Sequence, residues 1–183
     1  MRLCAFSPSG ARSSLNKLRV AADYFRFFRG RVKHHERRVW YNGDRSSAAI
    51  TDILAATGPH APLSVFAKID IEGSEYRILP SVIDAADRFT GLVIEFHDTD
   101  ICADLFNRQV CSLHESFDLV HAHANNFGDR SIDHALPLTW ELTFLNRELH
   151  GHPSRPYSGS LPRPDLDMPN DPNRADFVFK FGE

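Results

Sequence analysis

The chain has 183 residues, of which 42% are hydrophobic and 25% are charged, and these values are ordinary for a globular domain. No apolar run reaches the roughly 18 residues expected of a membrane span, and the three cysteines form no CxxC pair, so we expect neither a spanning segment nor a disulfide framework or zinc ribbon. The formal net charge of −3 gives no indication of nucleic-acid binding, and cysteine usage favours a reducing, cytoplasmic compartment.

The charge is unevenly distributed along the chain. Residues 1–38 contain ten Lys or Arg against two acids, whereas the remainder contains 11 basic and 22 acidic residues. Four apolar residues recur in the basic part at helical spacing, namely Leu15, Leu18, Ala22 and Phe25. This spacing predicts an amphipathic helix over residues 13–29 with a solvated basic face. A transit peptide and a phosphate-binding patch are the alternatives.

Strands and helices alternate along the chain. The predicted strands are residues 3–6, 38–41, 64–70, 91–96, 117–123 and 138–145, and the predicted helices after the first are residues 47–57, 74–88 and 101–115. Continuous apolar strands that alternate with helices are typical of an α/β protein with a mostly parallel sheet covered on both faces. No comparable helical pattern separates the last two of these strands, so we expect an antiparallel hairpin at one edge.

These elements predict a single domain over residues 1–183. The core sheet and its helices occupy residues 61–150. Residues 151–175 form a proline-rich segment that either wraps the domain surface or is partly disordered. Residues 176–181 alternate in polarity and predict a closing strand.

Polar side chains follow three of the predicted strands. They are Asp70, Glu72, Glu95, His97, Asp98, His121, His123, Asn125 and Asn126. Ligands of open α/β sheets bind beyond the carboxyl ends of the strands, so we expect these groups to share a pocket. Gly73 allows a sharp turn or a close approach to a ligand. The alternatives are a dipole-favoured helix start for Asp70 or Glu72, a structural rim position for His97, and an ordinary turn at residues 125–128.

The sequence KIDIEGSEYRIL, residues 68–79, resembles the strand-four signature of the FkbM-type class I methyltransferases, commonly K-[IV]-D-[IV]-E-G-x-E. The similarity continues, in the family's order, through residues 91–98, 119–128, 136–147 and 161–181. It covers most of the chain from about Ile50 onward.

This resemblance implies transfer of a methyl group from S-adenosylmethionine, usually to an oxygen of a small-molecule or glycan acceptor. It places Asp70 beside the methionine end of the cofactor or the transferring methyl group, with Glu72 and Gly73 close by. It makes His97 the candidate base or acceptor-orienting group. The acceptor side would be formed by Glu95, Asp98, His123, Asn125, Asn126 and Glu141, and no metal is expected.

The chain departs from the family in its first part. None of the 10 glycines forms a GxGxG motif. Residues 3–9 look like the family's second strand, in which an acid binds the cofactor ribose, and Ser7 stands at that position here. We therefore expect a partial Rossmann-like sheet that lacks the glycine-loop strand, with residues 1–60 as a remnant of the cofactor half.

Two other functions remain open at this point. One is a non-catalytic, methyltransferase-like binding remnant. The other is a metal-dependent hydrolase built on His97, Asp98, His121 and His123, since two histidines separated by one residue lie on the same face of a strand.

Overall fold

The structure is a computed structural model that describes residues 14–28, 32–128, 137–149, 151 and 155–181. The chain divides into two compact units, residues 1–37 and residues 38–183. Ser7 and the strand predicted over residues 3–6 lie outside the described residues. No helix in the described ranges has both the length and the apolar character that crossing a membrane requires.

The first unit contains helix α1, Ser14–Phe27, which confirms the helix predicted over residues 13–29. The Tyr24 hydroxyl and Nδ1 of His34 are hydrogen-bonded to each other. The rings of Phe28 and His34 stack with their centroids 5.1 Å apart. The chain after the helix therefore folds back against the helix end.

The second unit begins with two short parallel strands, β1 (Arg38–Val39) and β2 (Ser47–Ala48). Helix α2, Ile50–Ala56, follows directly. The helix predicted over residues 47–57 is therefore confirmed in its later part and wrong at its start, because the backbone of residues 47–48 pairs with β1 instead.

The main sheet has four strands in the order β3-β4-β6-β5. Their bounds are β3 Val65–Ile69, β4 Phe89–Phe96, β5 Phe117–Ala124 and β6 Trp140–Asn146. Strands β3 and β4 are parallel, while β6 is antiparallel to both β4 and β5. The predicted antiparallel pairing of the last two strands is confirmed, although β6 lies inside the sheet and β5 forms its edge. The architecture is mixed α/β.

Helices α3 (Glu75–Asp84) and α4 (Ala103–Leu113) cover one face of this sheet. A 3-10 turn at Ala86–Arg88 replaces the end of the helix predicted over residues 74–88. The buried core between helices and sheet includes Ile78, Leu79, Val82, Leu92, Ile94, Phe96, Leu113 and Phe144. Each such side chain contributes roughly 1.5–3 kcal/mol through burial. The even-numbered residues of β4 face this core, and Val93 and Glu95 therefore lie on the opposite face.

The described part of the C-terminal segment, residues 155–181, contacts β5 through His121 and His123 and contacts β6 through Glu141. Its strands β7 (Ser160–Leu161) and β8 (Phe179–Lys180) form an antiparallel pair separate from the main sheet. The closing strand predicted over residues 176–181 is thus reduced to two residues. The Trp140 and Phe179 rings lie 4.9 Å apart, which fixes the segment against β6. Over its described residues, this segment wraps the domain.

Candidate functional site

The turns that follow β3 and β4 contain backbone conformations that are rare for residues other than glycine. Glu72 has φ +55° and Asp98 has φ +52°. Gly73, the residue after Glu72, has φ +88°. A left-handed conformation costs a non-glycine residue of order 1–3 kcal/mol, and such residues cluster at functional sites. These turns mark the carboxyl ends of β3 and β4 as the candidate site, which we call the rim.

A buried carboxylate ties the two turns together. Glu75 is fully buried, and its Oε1 accepts hydrogen bonds from the backbone N–H groups of Ile71 (3.0 Å) and Gly73 (3.3 Å). The same oxygen lies 3.2 Å from Nδ1 of His97. The Tyr76 hydroxyl donates to the carbonyl oxygen of His97 at 2.7 Å. The first turn of α3 therefore fixes the position of His97.

His97 is surrounded by carboxylates. Its Nε2 lies 3.5 Å from Oε2 of Glu72 and 3.8 Å from Oε1 of Glu95. The hydrogen bond to Glu75, together with the nearby Glu95 and Glu72 charges, raises the pKa of His97 to about 9. With no other ligand, the imidazole is protonated at neutral pH and acts there as a hydrogen-bond donor.

Glu95 and Asp70 complete the rim. Asp70, Glu95 and His97 each offer one ligand atom, and these atoms all lie within 4.8 Å of one another. Lys68 Nζ is 3.1 Å from Oδ2 of Asp70, and Asn125 donates its amide to Oε1 of Glu95 at 2.9 Å. Burial, together with the Asp70 and Glu141 charges, raises the pKa of Glu95. Four residues predicted from three strand ends thus meet here: Asp70, Glu95, His97 and Asn125.

A polar row extends from the rim across the face of the sheet that α3 and α4 do not cover. Glu95 pairs with Glu141 across β4 and β6, and Glu141 pairs with His123 across β6 and β5. Directly opposed residues of antiparallel strands lie on the same face. His123 and Asn170 hold the pKa of Glu141 below its ordinary value. The row therefore begins with two acids, Glu95 and Glu141, and ends with the base His123.

The far end of this row is held by the C-terminal segment. His121 Nε2 lies 2.7 Å from Oδ1 of Asp167, and His123 Nε2 lies 3.0 Å from Oδ2 of Asp176. Asn126, almost fully buried, accepts from the N–H of Asp171 and donates to the carbonyl oxygens of residues 171 and 174. We call His121, His123 and Asn126 with these partners the tail clasp. The structure thus places His123 and Asn126 in contacts with the C-terminal segment and not at the rim.

The remaining predicted residues have distinct positions. Glu72 and Asp98 are exposed at the rim. A Cβ at Gly73 would lie 3.4 Å from Oδ2 of Asp98, so the two turns are in close contact. Of the four histidine and aspartate residues proposed for a hydrolase, only His97 belongs to the potential metal-holding group found among the described residues.

Sequence reasoning missed Glu75 as a site residue. It is the last acid of the 68–75 motif, but an acid in the first turn of a helix is also what the helix dipole favours on a surface. The available signal was its position on the same helix face as Ile78, Leu79 and Val82, which are core residues.

No protein-family model matches the chain, and neither a curated protein nor a solved structure matches it. Function must therefore be inferred from the residues and the geometry of the rim.

Proposed function

We propose that the chain has S-adenosylmethionine-dependent methyltransferase activity towards a hydroxyl group of a small-molecule or glycan acceptor. The observation that carries the proposal is the convergence of Asp70, Glu95, His97 and Asn125 at the carboxyl ends of β3, β4 and β5. Supporting it, the strand order β3-β4-β6-β5 with β6 antiparallel corresponds to strands 4-5-7-6 of the class I order 3-2-1-4-5-7-6.

The reaction is a displacement at carbon. The acceptor oxygen forms a bond to the methyl carbon, the carbon–sulfur bond breaks, and its electron pair stays on sulfur to give S-adenosylhomocysteine. The hydroxyl proton passes to a base. Holding the oxygen in line with the sulfonium supplies up to roughly 7–11 kcal/mol of the barrier reduction, and a positioned base contributes a further 10²–10⁴-fold, approximately.

The rim offers groups for each part of this reaction. Asp70 presents an exposed carboxylate at the end of β3, where the resemblance places the methionine end of the cofactor. His97, held by Glu75 and protonated at neutral pH, suits the orientation of the acceptor oxygen through Nε2. Burial raises the pKa of Glu95 towards neutral pH, and a general base at neutral pH requires a shift in this direction.

Isothermal titration with S-adenosylhomocysteine tests the proposal. We expect heat of binding with the wild-type chain and its loss in Asp70→Asn. The matched control is Asp87→Asn, an exposed acid at the opposite end of β4 that pairs with His60. The control is expected to bind as the wild type does. No heat from the wild-type chain at millimolar ligand would overturn the proposal in favour of a non-catalytic remnant.

A further inference from the structure

We infer that the rim binds a divalent metal ion, with Asp70, Glu95 and His97 as its protein ligands. Their three ligand atoms lie within 4.8 Å of one another. Two oxygen ligands on opposite sides of a divalent cation, each about 2.0–2.4 Å from it, are separated by about 4–5 Å. The three groups are therefore close enough together for one ion to contact all of them.

The orientation of His97 is that of a metal ligand. Histidines that bind metals donate their other ring N–H to a carboxylate or carbonyl, which fixes the ring and the tautomer. Here the Nδ1 side of His97 is held by Glu75, whereas Nε2 faces Glu95 and the exposed Glu72. The nitrogen that remains for an ion is thus the one that points into the rim.

Glu75 supplies an independent observation. It is fully buried, and its Oε2 has no hydrogen-bond partner among the described residues. Burying a carboxylate is costly unless opposite charge compensates it. Glu75 accepts from two backbone N–H groups, and among the described residues His97 is the basic side chain that contacts it. A divalent ion on Nε2 would add positive charge on the other side of the His97 ring.

The rim as a whole has too few cations for its acids. Four carboxyl groups, those of Asp70, Glu72, Glu75 and Glu95, surround His97, and Lys68 is the other cation in contact with them within the described ranges. Lys68 forms an ion pair with Asp70 and also lies near the Glu95 and Glu141 charges. Its side chain is 56% exposed, so it can move into water when an ion binds.

The donor set favours a transition-metal ion such as Mn²⁺. Carboxylates suit Mg²⁺, Ca²⁺ and Mn²⁺, whereas imidazole suits first-row transition metals, and Mn²⁺ satisfies both kinds of ligand. An ion held by Nε2 and Glu95 would replace the Nε2–H donor and the Glu95 base of the proposed reaction, because it would itself bind an acceptor hydroxyl and lower the pKa of that hydroxyl. That role rests on the proposed function, but the binding of the ion does not.

Calorimetric titration of the full chain with Mn²⁺, after treatment with a chelator, tests this inference. We expect one site per chain in the wild type and at least about tenfold weaker binding in both Asp70→Asn and Glu95→Gln. Asp70 is exposed, so its variant is expected to fold, and circular dichroism verifies this for both variants. A parallel titration with Mg²⁺ is expected to give weaker binding because of the imidazole ligand.

The matched controls are His60→Gln and Asp87→Asn, which alter an exposed histidine–carboxylate pair 3.1 Å apart. They are expected to leave Mn²⁺ affinity unchanged. Absence of heat in the wild type up to millimolar Mn²⁺, unchanged affinity in both rim variants, or an equal loss in the controls would overturn the inference. The Mn²⁺ titration contains no methyl donor. Absence of Mn²⁺ binding can therefore be distinguished from absence of S-adenosylhomocysteine binding.

Discussion

The rim and the tail clasp each pair a histidine with several carboxylates, and they differ in how exposed the groups around the imidazole are. His97 is held at Nδ1 by a buried acid, while its Nε2 faces Glu72, whose side chain is 86% exposed. His123 has Glu141 near Nδ1 and Asp176 at Nε2, and its side chain is only 7% exposed. In both clusters the neighbouring carboxylates raise the histidine pKa to about 9.

A raised histidine pKa therefore occurs both in the candidate binding site and in the tail clasp, and it does not distinguish the two. Strongly shifted groups mark functional sites only in combination with access, since structural ion pairs shift pKa values as well. At the rim Nε2 of His97 faces the exposed Glu72, whereas both nitrogens of His123 face the less exposed carboxylates of Glu141 and Asp176. The following predictions test that distinction, in order of expected effect.

The largest effect is expected from Glu75→Ala. Removing one partner of a buried pair typically lowers the free energy of unfolding by about 3–5 kcal/mol, and here two backbone N–H groups lose their acceptor as well. Urea unfolding followed by circular dichroism measures the change. Glu72→Ala is the control, because the exposed carboxylate of Glu72 contacts the same imidazole from the solvent side. This substitution should lower the free energy of unfolding by less than about 1 kcal/mol. Equal losses of unfolding free energy in the two variants would contradict the distinction between the buried Glu75 and the exposed Glu72.

A smaller effect is expected from His123→Ala in the tail clasp. Losing a hydrogen bond to a charged partner costs about 1.5–3 kcal/mol, and here it releases Asp176 of the C-terminal segment. We expect faster tryptic cleavage within residues 155–181, with Mn²⁺ binding at the rim preserved. Cleavage at the wild-type rate would show that the segment does not depend on this contact.

The pH dependence of stability provides a third test. Glu141 first, and then Asp176 with the more distant Asp167, raise the pKa of His123 from 6.5 to about 9. Because the pKa of His123 is higher in the folded state than in the unfolded state, protonation of this residue stabilises the fold. This contribution is complete below pH 6.5 and is lost as the pH rises through about 9. The difference in unfolding free energy between wild type and His123→Gln should therefore shrink between pH 6.5 and 9.5, approximately. A constant difference would contradict a charged His123.

The smallest effect on stability is expected from Lys68→Gln. Its ion pair with Asp70 is partly exposed, so unfolding should change by less than about 1 kcal/mol. Mn²⁺ affinity should rise a few-fold, because the cation that competes for Asp70 is removed. Weaker Mn²⁺ binding in this variant would mean that Lys68 supports the site.

The sequence predicted the parts of the fold that follow from local pattern. The apolar segments before Asp70 and before His97 predicted β3 and β4, and the polar residues after them predicted the rim. The position of β6 between β4 and β5 was not predictable, since it depends on pairing between distant segments and not on any local period. The assignment to the methyltransferase family stays a prediction.

The tail clasp was missed for the same reason. His121 and His123 lie 46 and 53 residues before the acids that bind them. Without those partners, two histidines at strand spacing are as consistent with a metal site as with a clasp. Glu75 was overlooked because burial, which distinguishes it from a surface acid, is a property of the packed helix.

Paramagnetic broadening by Mn²⁺ in amide NMR spectra tests the distinction between the two clusters most directly. We expect substoichiometric Mn²⁺ to broaden the signals of residues 70–75 and 95–98 most strongly and those of residues 165–176 less, because Asn170 bonds to Glu141 opposite Glu95 and the broadening falls with distance from the ion. Broadening that centres on the tail clasp, or that is uniform along the acidic surface, would contradict it.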